Sequence, residues 1–126
     1  MGQSKPSSQS AKERTSNFRE VSLGFPKKIS ADEARRCPQC AQPTCMPVCP
    51  LGVDIPGFIR FLRESDAVSA LERIKKDNPF PSICGRICSA PCEPACVFSE
   101  DHSAISIRAL ERYAADNGYK PSTKSK

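Results

Sequence analysis

The chain has 126 residues, which is enough for one compact domain with flanking segments. Hydrophobic residues make up 38% of it and tryptophan is absent, which argues against a large self-sufficient core and favours a fold held partly by bound metal. The net charge is +5, but residues 37–116 hold more acidic than basic residues, so we expect no basic face for nucleic acid.

No apolar run approaches the roughly 18 residues of a membrane span, and the first ten residues lack the apolar stretch of a secretory signal. The chain nevertheless has eight cysteines. Cysteines in a protein without an export signal indicate a reducing compartment, where thiols bind metal more often than they pair. We therefore expect a cytoplasmic protein.

The first part of the chain divides into a tail and a helix that leads to the cysteines. Residues 1–20 are rich in Ser, Gln, Lys and Arg, which predicts a disordered basic tail. The folded domain is expected over 21–117. Ser30 and Glu33 have the spacing of a capping box, which predicts a helix over 31–36. Four prolines between residues 37 and 50 then predict an irregular loop.

Further helices are predicted towards the C-terminus. Asp54 caps one helix, and Ser65 or Asp66 caps a second that ends at Asn78-Pro79. Their apolar stripes are Ile55, Phe58, Ile59 and Leu62 in the first, and Ala67, Ala70, Leu71 and Ile74 in the second. A last helix is expected over 103–117 with Gly118 as its cap, followed by a basic tail over 118–126. The pattern predicts an all-α fold.

The cysteines form two blocks of four. They are Cys37, Cys40, Cys45 and Cys49, followed by Cys84, Cys88, Cys92 and Cys96. The first block reads C-x2-C-x4-C-x3-C-P, close to the ferredoxin run C-x2-C-x2-C-x3-C-P, and two blocks of four suggest two [4Fe–4S] clusters. Disulfides are disfavoured by the expected compartment, and zinc by the near absence of paired C-x2-C spacings, although both remain open.

Two features add to this interpretation. In two-cluster ferredoxins the fourth cysteine of such a run binds the other cluster, so Cys49 is expected to join the second block. Glu111 lies on the apolar stripe of the last helix, where a buried carboxylate is costly unless it binds metal or is paired. It is either an oxygen ligand to iron or an edge residue that pairs with Arg108 or Arg112.

The stretch from Glu33 to Asp116 resembles a known module. The matching segments are EARRCPQCAQPTCMPVCPLGVDIPGFI, ALERIKKDNPFPSICGRICSAPCEPAC and ISIRALERYAAD. This module is the N-terminal two-cluster domain of the glutamate synthase small subunit, of dihydropyrimidine dehydrogenase and of the large subunit of NADH-dependent reduced ferredoxin:NADP oxidoreductase. The resemblance implies an α-helical ferredoxin fold with ligand loops around two [4Fe–4S] clusters.

The resemblance also implies a ligand set. One cluster would take Cys37, Cys40, Cys45 and Cys96, and the other would take Cys49, Cys88, Cys92 and Glu111. Cys84 matches a position that is not a ligand in the family. No G-x-G-x-x-G motif is present, so FAD and NAD(P) are expected only on a partner chain, and enzyme activity of this chain alone is in doubt.

The sequence therefore predicts an electron-transfer subunit or module. It would pass single electrons to or from a partner FAD- and NAD(P)H-dependent oxidoreductase that is glutamate synthase-like. The alternative is a structural or interaction module in which metal only stabilises the fold.

Overall fold

The computed structural model describes residues 2–101 and 103–119. Within these ranges the chain is dominated by helices, which confirms the predicted fold class. The α-helices are α1 (Ala11–Arg14), α2 (Lys27–Arg36), α3 (Ile55–Arg63), α4 (Ala67–Lys75), α5 (Pro81–Ile87) and α6 (Ile107–Asn117), with a 3-10 turn at Ser99–Asp101. Two short strands, β1 (Ser7–Ser8) and β2 (Ser22–Gly24), pair antiparallel. Within the described part of the chain, no helix is long and apolar enough to cross a membrane.

The N-terminal segment is packed against the helices, which differs from the disordered tail that the sequence predicts. Strand β1 pairs with β2, and the Ser4 N–H donates to the Glu33 carboxylate over 3.3 Å. The Ser106 hydroxyl donates to the Ser4 carbonyl over 2.5 Å. These partners lie far away in sequence, so the composition of the segment alone gives no sign of them.

Helix α2 begins earlier than predicted. It starts at Lys27, after Pro26, whereas the capping-box prediction placed its start at residue 31. Ser30 is buried inside the helix, and the fully buried Glu33 carboxylate accepts hydrogen bonds from Arg36 and from the Ser106 N–H, each over 2.8 Å. The capping-box prediction is therefore wrong, because Glu33 joins α2 to the start of α6.

Helices α3 and α4 form as predicted. The Asp54 carboxylate accepts from the Gly57 N–H and the Asp66 carboxylate from the Ser69 N–H, each over 3.0 Å, so each caps its helix. The two predicted apolar stripes are buried. They pack into a core with α6, where the largest fully buried side chains include Phe58, Ile59, Leu62, Ile74, Ile105 and Leu110.

Helices α5 and α6 pack closely together. A Cβ atom at Gly85 would lie 2.7 Å from the Arg112 Cα, so only glycine permits this approach. Helix α6 begins at Ile107, four residues later than predicted, because a separate segment containing the buried Ile105 precedes it. Gly118 caps its end as predicted. Beyond Tyr119 the predicted C-terminal tail lies outside the described residues.

The second cysteine block begins in a helix and continues in turns. Helix α5 carries Cys84 and ends at Ile87, with Cys88 as its cap, and the chain then continues in turns past Cys92 and Cys96. The first block lies in the loop between α2 and α3, which has no helix or strand. Apart from Cys84, the cysteines of both blocks therefore lie in loops or at helix ends, next to the helical core.

Candidate metal centres

The first cavity lies between the two cysteine loops and the helical core. Its lining includes four cysteines: Cys37, Cys40, Cys45 and Cys96. Apolar side chains, among them Ile59 and Ile105, form much of the remaining wall. Three of these cysteines belong to the first block and one to the second, so this cavity needs both loops.

The second cavity lies beside helix α6. Its lining includes three cysteines and one carboxylate: Cys49, Cys88, Cys92 and Glu111. The structure thus brings together the same two sets of four side chains that the resemblance implies, and it leaves Cys84 outside both linings.

The two cavities are neighbours because they share part of their wall. Ile55, the first residue of α3, and Ile107, the first residue of α6, line both cavities. Each is only 2% exposed. Groups held in the two cavities would therefore be separated by these apolar side chains rather than by solvent.

Helix α3 fixes the loop of the first block. The Arg63 Nε donates to the Ala34 carbonyl over 3.3 Å, and the same guanidinium donates to the Cys37 carbonyl. Gln39 has a φ of 56°, in the left-handed region, and its side-chain amide donates to the Cys37 sulfur over 3.6 Å. The Arg60 Nε donates to the Gln39 side-chain oxygen over 3.3 Å and holds it in place.

The second loop is fixed in a similar way. Ala90 has a φ of 54°, and its N–H donates to the Cys88 sulfur over 3.3 Å. Arg108, in α6, donates to the Cys88 carbonyl over 2.9 Å. The Thr44 hydroxyl donates to the Ala95 carbonyl over 2.5 Å and so connects the first loop to the second. In each loop a residue in the left-handed region thus donates, through its side-chain amide or its backbone N–H, to a cysteine sulfur.

The pKa values of the cavity thiols reflect their burial among other cysteines. Burial is the main cause that raises the pKa of Cys45 to about 11, and nearby Cys37, Cys96 and Cys40 raise it further. Burial likewise raises the pKa of Cys92 to about 12, with added contributions from Glu93 and Cys49. Burial thus disfavours the charged thiolate form at these positions, and a bound cation would favour it.

The donor chemistry fits an iron–sulfur cluster. Among residues 2–101 and 103–119, no three His, Cys, Asp or Glu side chains are close enough together to hold a single metal ion. The side chains of each set surround a cavity. Four soft sulfur donors suit a [4Fe–4S] cluster, and the second set replaces one sulfur with a carboxylate oxygen.

Glu111 makes a hydrogen bond to Asn78 rather than an ion pair. The Asn78 Nδ2 donates to the Glu111 Oε1 over 2.8 Å. Burial raises the pKa of the Glu111 carboxyl, and the Asn78 hydrogen bond partly offsets this shift. Arg112, one of the salt-bridge partners considered from the sequence, instead pairs with Glu20 and Asp116.

Several residues at the site were missed by the sequence analysis. Asn78 was interpreted only as the end of α4, and Thr44 and Ala90 were not singled out. Glu93 was also missed, although its carboxylate accepts from the Arg108 N–H over 3.1 Å near the start of α6. An Asn-Pro pair is a common helix terminator, so local pattern gives no signal of the Asn78 contact with a carboxylate 33 residues away.

The helical fold and its two cysteine-lined cavities fit an iron–sulfur protein of the α-helical ferredoxin class. Residues 14–123 match the family described as dihydropyrimidine dehydrogenase domain II, 4Fe-4S cluster. This match covers most of the chain, and the chain belongs to this family.

The chain is also similar to the small chains of glutamate synthase from several organisms. The NADPH glutamate synthase small chain of Azospirillum brasilense is 34% identical over 96% of this chain and 27% of its own length. Its counterpart in Mycobacterium tuberculosis is 36% identical over 84% of this chain and 22% of its own length. The NADPH glutamate synthase small chain of Bacillus subtilis is 34% identical over 91% of this chain and 25% of its own length. The chain therefore spans about a quarter of the length of these relatives.

Proposed function

We propose that this chain is an electron-transfer module with two [4Fe–4S] clusters, which passes single electrons to or from a partner oxidoreductase. Cys37, Cys40, Cys45 and Cys96 would hold one cluster, and Cys49, Cys88, Cys92 and Glu111 the other. When bound, each cluster would supply a centre that gains and loses one electron. The observation that carries the proposal is the pair of adjacent cavities, each lined by four donor side chains from separate parts of the chain.

The residues of this chain set the environment in which such electron transfer occurs. Ile55 and Ile107 exclude water from the boundary between the two cavities. The Ala90 N–H and the Gln39 amide each donate to a cysteine sulfur. Hydrogen bonds of this kind stabilise the more negative, reduced form, so they raise the reduction potential of the cluster that the sulfur binds.

The proposed partner supplies the flavin and the nicotinamide. The relatives named above are small chains of NADPH glutamate synthase, and this chain matches about a quarter of each of them. We assign FAD and NAD(P)H to a partner chain, and the module to a complex rather than to an enzyme acting alone. Eight free cysteines fit a reducing, cytoplasmic location.

Iron and sulfide analysis of anaerobically purified protein tests this function. We expect about eight iron and about eight sulfide per chain, since each [4Fe–4S] cluster contributes four of each. We also expect the purified protein to absorb at about 400 nm. Dithionite should bleach this absorption reversibly, because reduction weakens the thiolate-to-iron charge transfer. Colourless protein with zinc in place of iron would contradict the proposal and support a structural module instead.

A further inference from the structure

We infer that Asn78 is a positioning residue for the second cluster, because its amide holds the Glu111 carboxylate in the orientation needed at the cavity. This inference rests on the proposed function. It concerns a residue that lies outside the cavity lining and is only 2% exposed.

The hydrogen bonds of Asn78 fix its orientation. Its side-chain oxygen accepts from the Phe80 N–H over 2.9 Å and faces the Cys84 thiol over 3.8 Å. Because the oxygen is held by these donors, the amide nitrogen must point the other way, towards the Glu111 Oε1 at 2.8 Å. Asn78 is thereby clamped between the start of α5 and the middle of α6.

This arrangement leaves one carboxylate oxygen for the cavity. Among the described residues, Asn78 is the only hydrogen-bond partner of the Glu111 side chain, and it engages Oε1. Glu111 also lines the second cavity together with Cys49, Cys88 and Cys92. A neutral amide satisfies one oxygen without neutralising the carboxylate, so the second oxygen keeps its capacity to bind a metal.

The same contacts give Cys84 a role other than ligation. Its thiol donates weakly to the Asn78 oxygen, which places it behind the amide and outside both cavity linings. Cys84, Asn78 and Glu111 thus form a chain of contacts that leads from α5 to the second cavity. Metal ligands are commonly oriented by such outer partners, whose loss weakens metal binding or alters the properties of the metal.

The variant Asn78→Asp tests the inference in the full-length protein. It keeps the side-chain oxygen that accepts from the Phe80 N–H, and it replaces only the donor to Glu111. The variant loses a hydrogen-bond donor and gains a carboxylate near the second cluster, and both changes disfavour the reduced form of that cluster. We therefore expect a lower midpoint potential and altered EPR lines for the second cluster only. The other cluster should keep its wild-type potential and spectrum.

Two further variants separate positioning from general damage. Leu71→Ala removes a buried side chain of α4 that lines neither cavity, so it should lower stability while both EPR signals stay unchanged. In the Glu111→Ala background, the further change Asn78→Ala adds no charge, so it should leave the potentials as they are in Glu111→Ala, since Asn78 acts through Glu111.

Three results would overturn the inference. They are wild-type potentials and spectra in Asn78→Asp, equal changes in both clusters, and an additive effect in the double variant. A wild-type protein without eight iron would instead refute the proposed function, so the two failures are distinguishable.

Discussion

Cys84 shows how little the residue type alone says about ligation. It is one of eight cysteines and lies four positions before Cys88, yet its sulfur faces the Asn78 amide oxygen at 3.8 Å. Cys88, by contrast, lines the second cavity and its sulfur accepts from the Ala90 N–H. Two cysteines one helical turn apart therefore have different environments.

This difference gives a prediction at the scale of single residues. Cys84→Ala should retain about eight iron per chain, because it removes only a weak hydrogen bond to Asn78. Cys88→Ala should lose about four of them, because it removes a proposed ligand. Iron analysis of the two variants beside wild type makes the comparison, and equal losses would contradict the ligand set.

At the scale of elements, the α5–α6 contact depends on the absence of a side chain at Gly85. A methyl group there would meet the Arg112 Cα and Cβ at 2.7 Å, and these atoms belong to a helix that cannot easily retreat. Arg112 is itself held by Glu20 and by Asp116, over 3.2 Å and 3.3 Å. Cys88 follows the last residue of α5 and Glu111 lies in α6, and both line the second cavity, so the spacing of the two helices also affects that cavity.

Gly85→Ala should therefore lower the free energy of unfolding by about 1–3 kcal/mol, the usual cost of overpacking. The matched control is Ile83→Ala on the same helix, which removes a side chain that is 54% exposed and should change stability by less than about 0.5 kcal/mol. Denaturant unfolding under anaerobic conditions gives both values. A Gly85→Ala variant as stable as the control would show that α5 and α6 can separate freely.

The sequence predicted the elements whose signals are local. Asp54 and Asp66 cap α3 and α4 through N–H groups three residues away, and the apolar stripes have helical spacing. The sequence did not predict where α2 starts, and it did not predict that the segment around Ser4 packs against the helices. In both cases the decisive partner is distant: Glu33 binds the Ser106 N–H, and Ser106 binds the Ser4 carbonyl.

For the site, the spacing of the cysteines indicated iron–sulfur clusters. The resemblance to the family then divided the expected ligands into two sets. The structure collects each of these sets around one cavity. The supporting residues could not be predicted, because Asn78, Thr44 and Arg108 act on partners 33, 51 and 20 residues away, respectively. Contacts of that range depend on the packing of the helices and have no pattern in the sequence.

At the scale of the whole molecule, each cavity draws on both cysteine blocks. Cys96 comes from the second block but lines the cavity of Cys45, and Cys49 comes from the first block but lines the cavity of Cys92. This crossing ties the loop before α3 to the loop before α6. Bound clusters would add to a modest apolar core the stabilisation that metal sites usually provide.

The crossing predicts which variants share a phenotype. Cys96→Ser and Cys45→Ser should alter the EPR signal of the same cluster, and Cys49→Ser and Cys92→Ser should alter the signal of the other, because each pair lines one cavity. EPR of the dithionite-reduced variants at low temperature makes the assignment. If Cys96→Ser altered the same signal as Cys92→Ser and spared that of Cys45→Ser, each block would hold its own cluster.

The crossed cavities also constrain the order of events during biosynthesis. Both cavities include Ile107 in their walls, and the second also includes Glu111. A ribosome must therefore translate the message through codon 107 before either pocket can close. Complete binding of a cluster in the first cavity would therefore follow synthesis of the first cysteine block by roughly 60 residues.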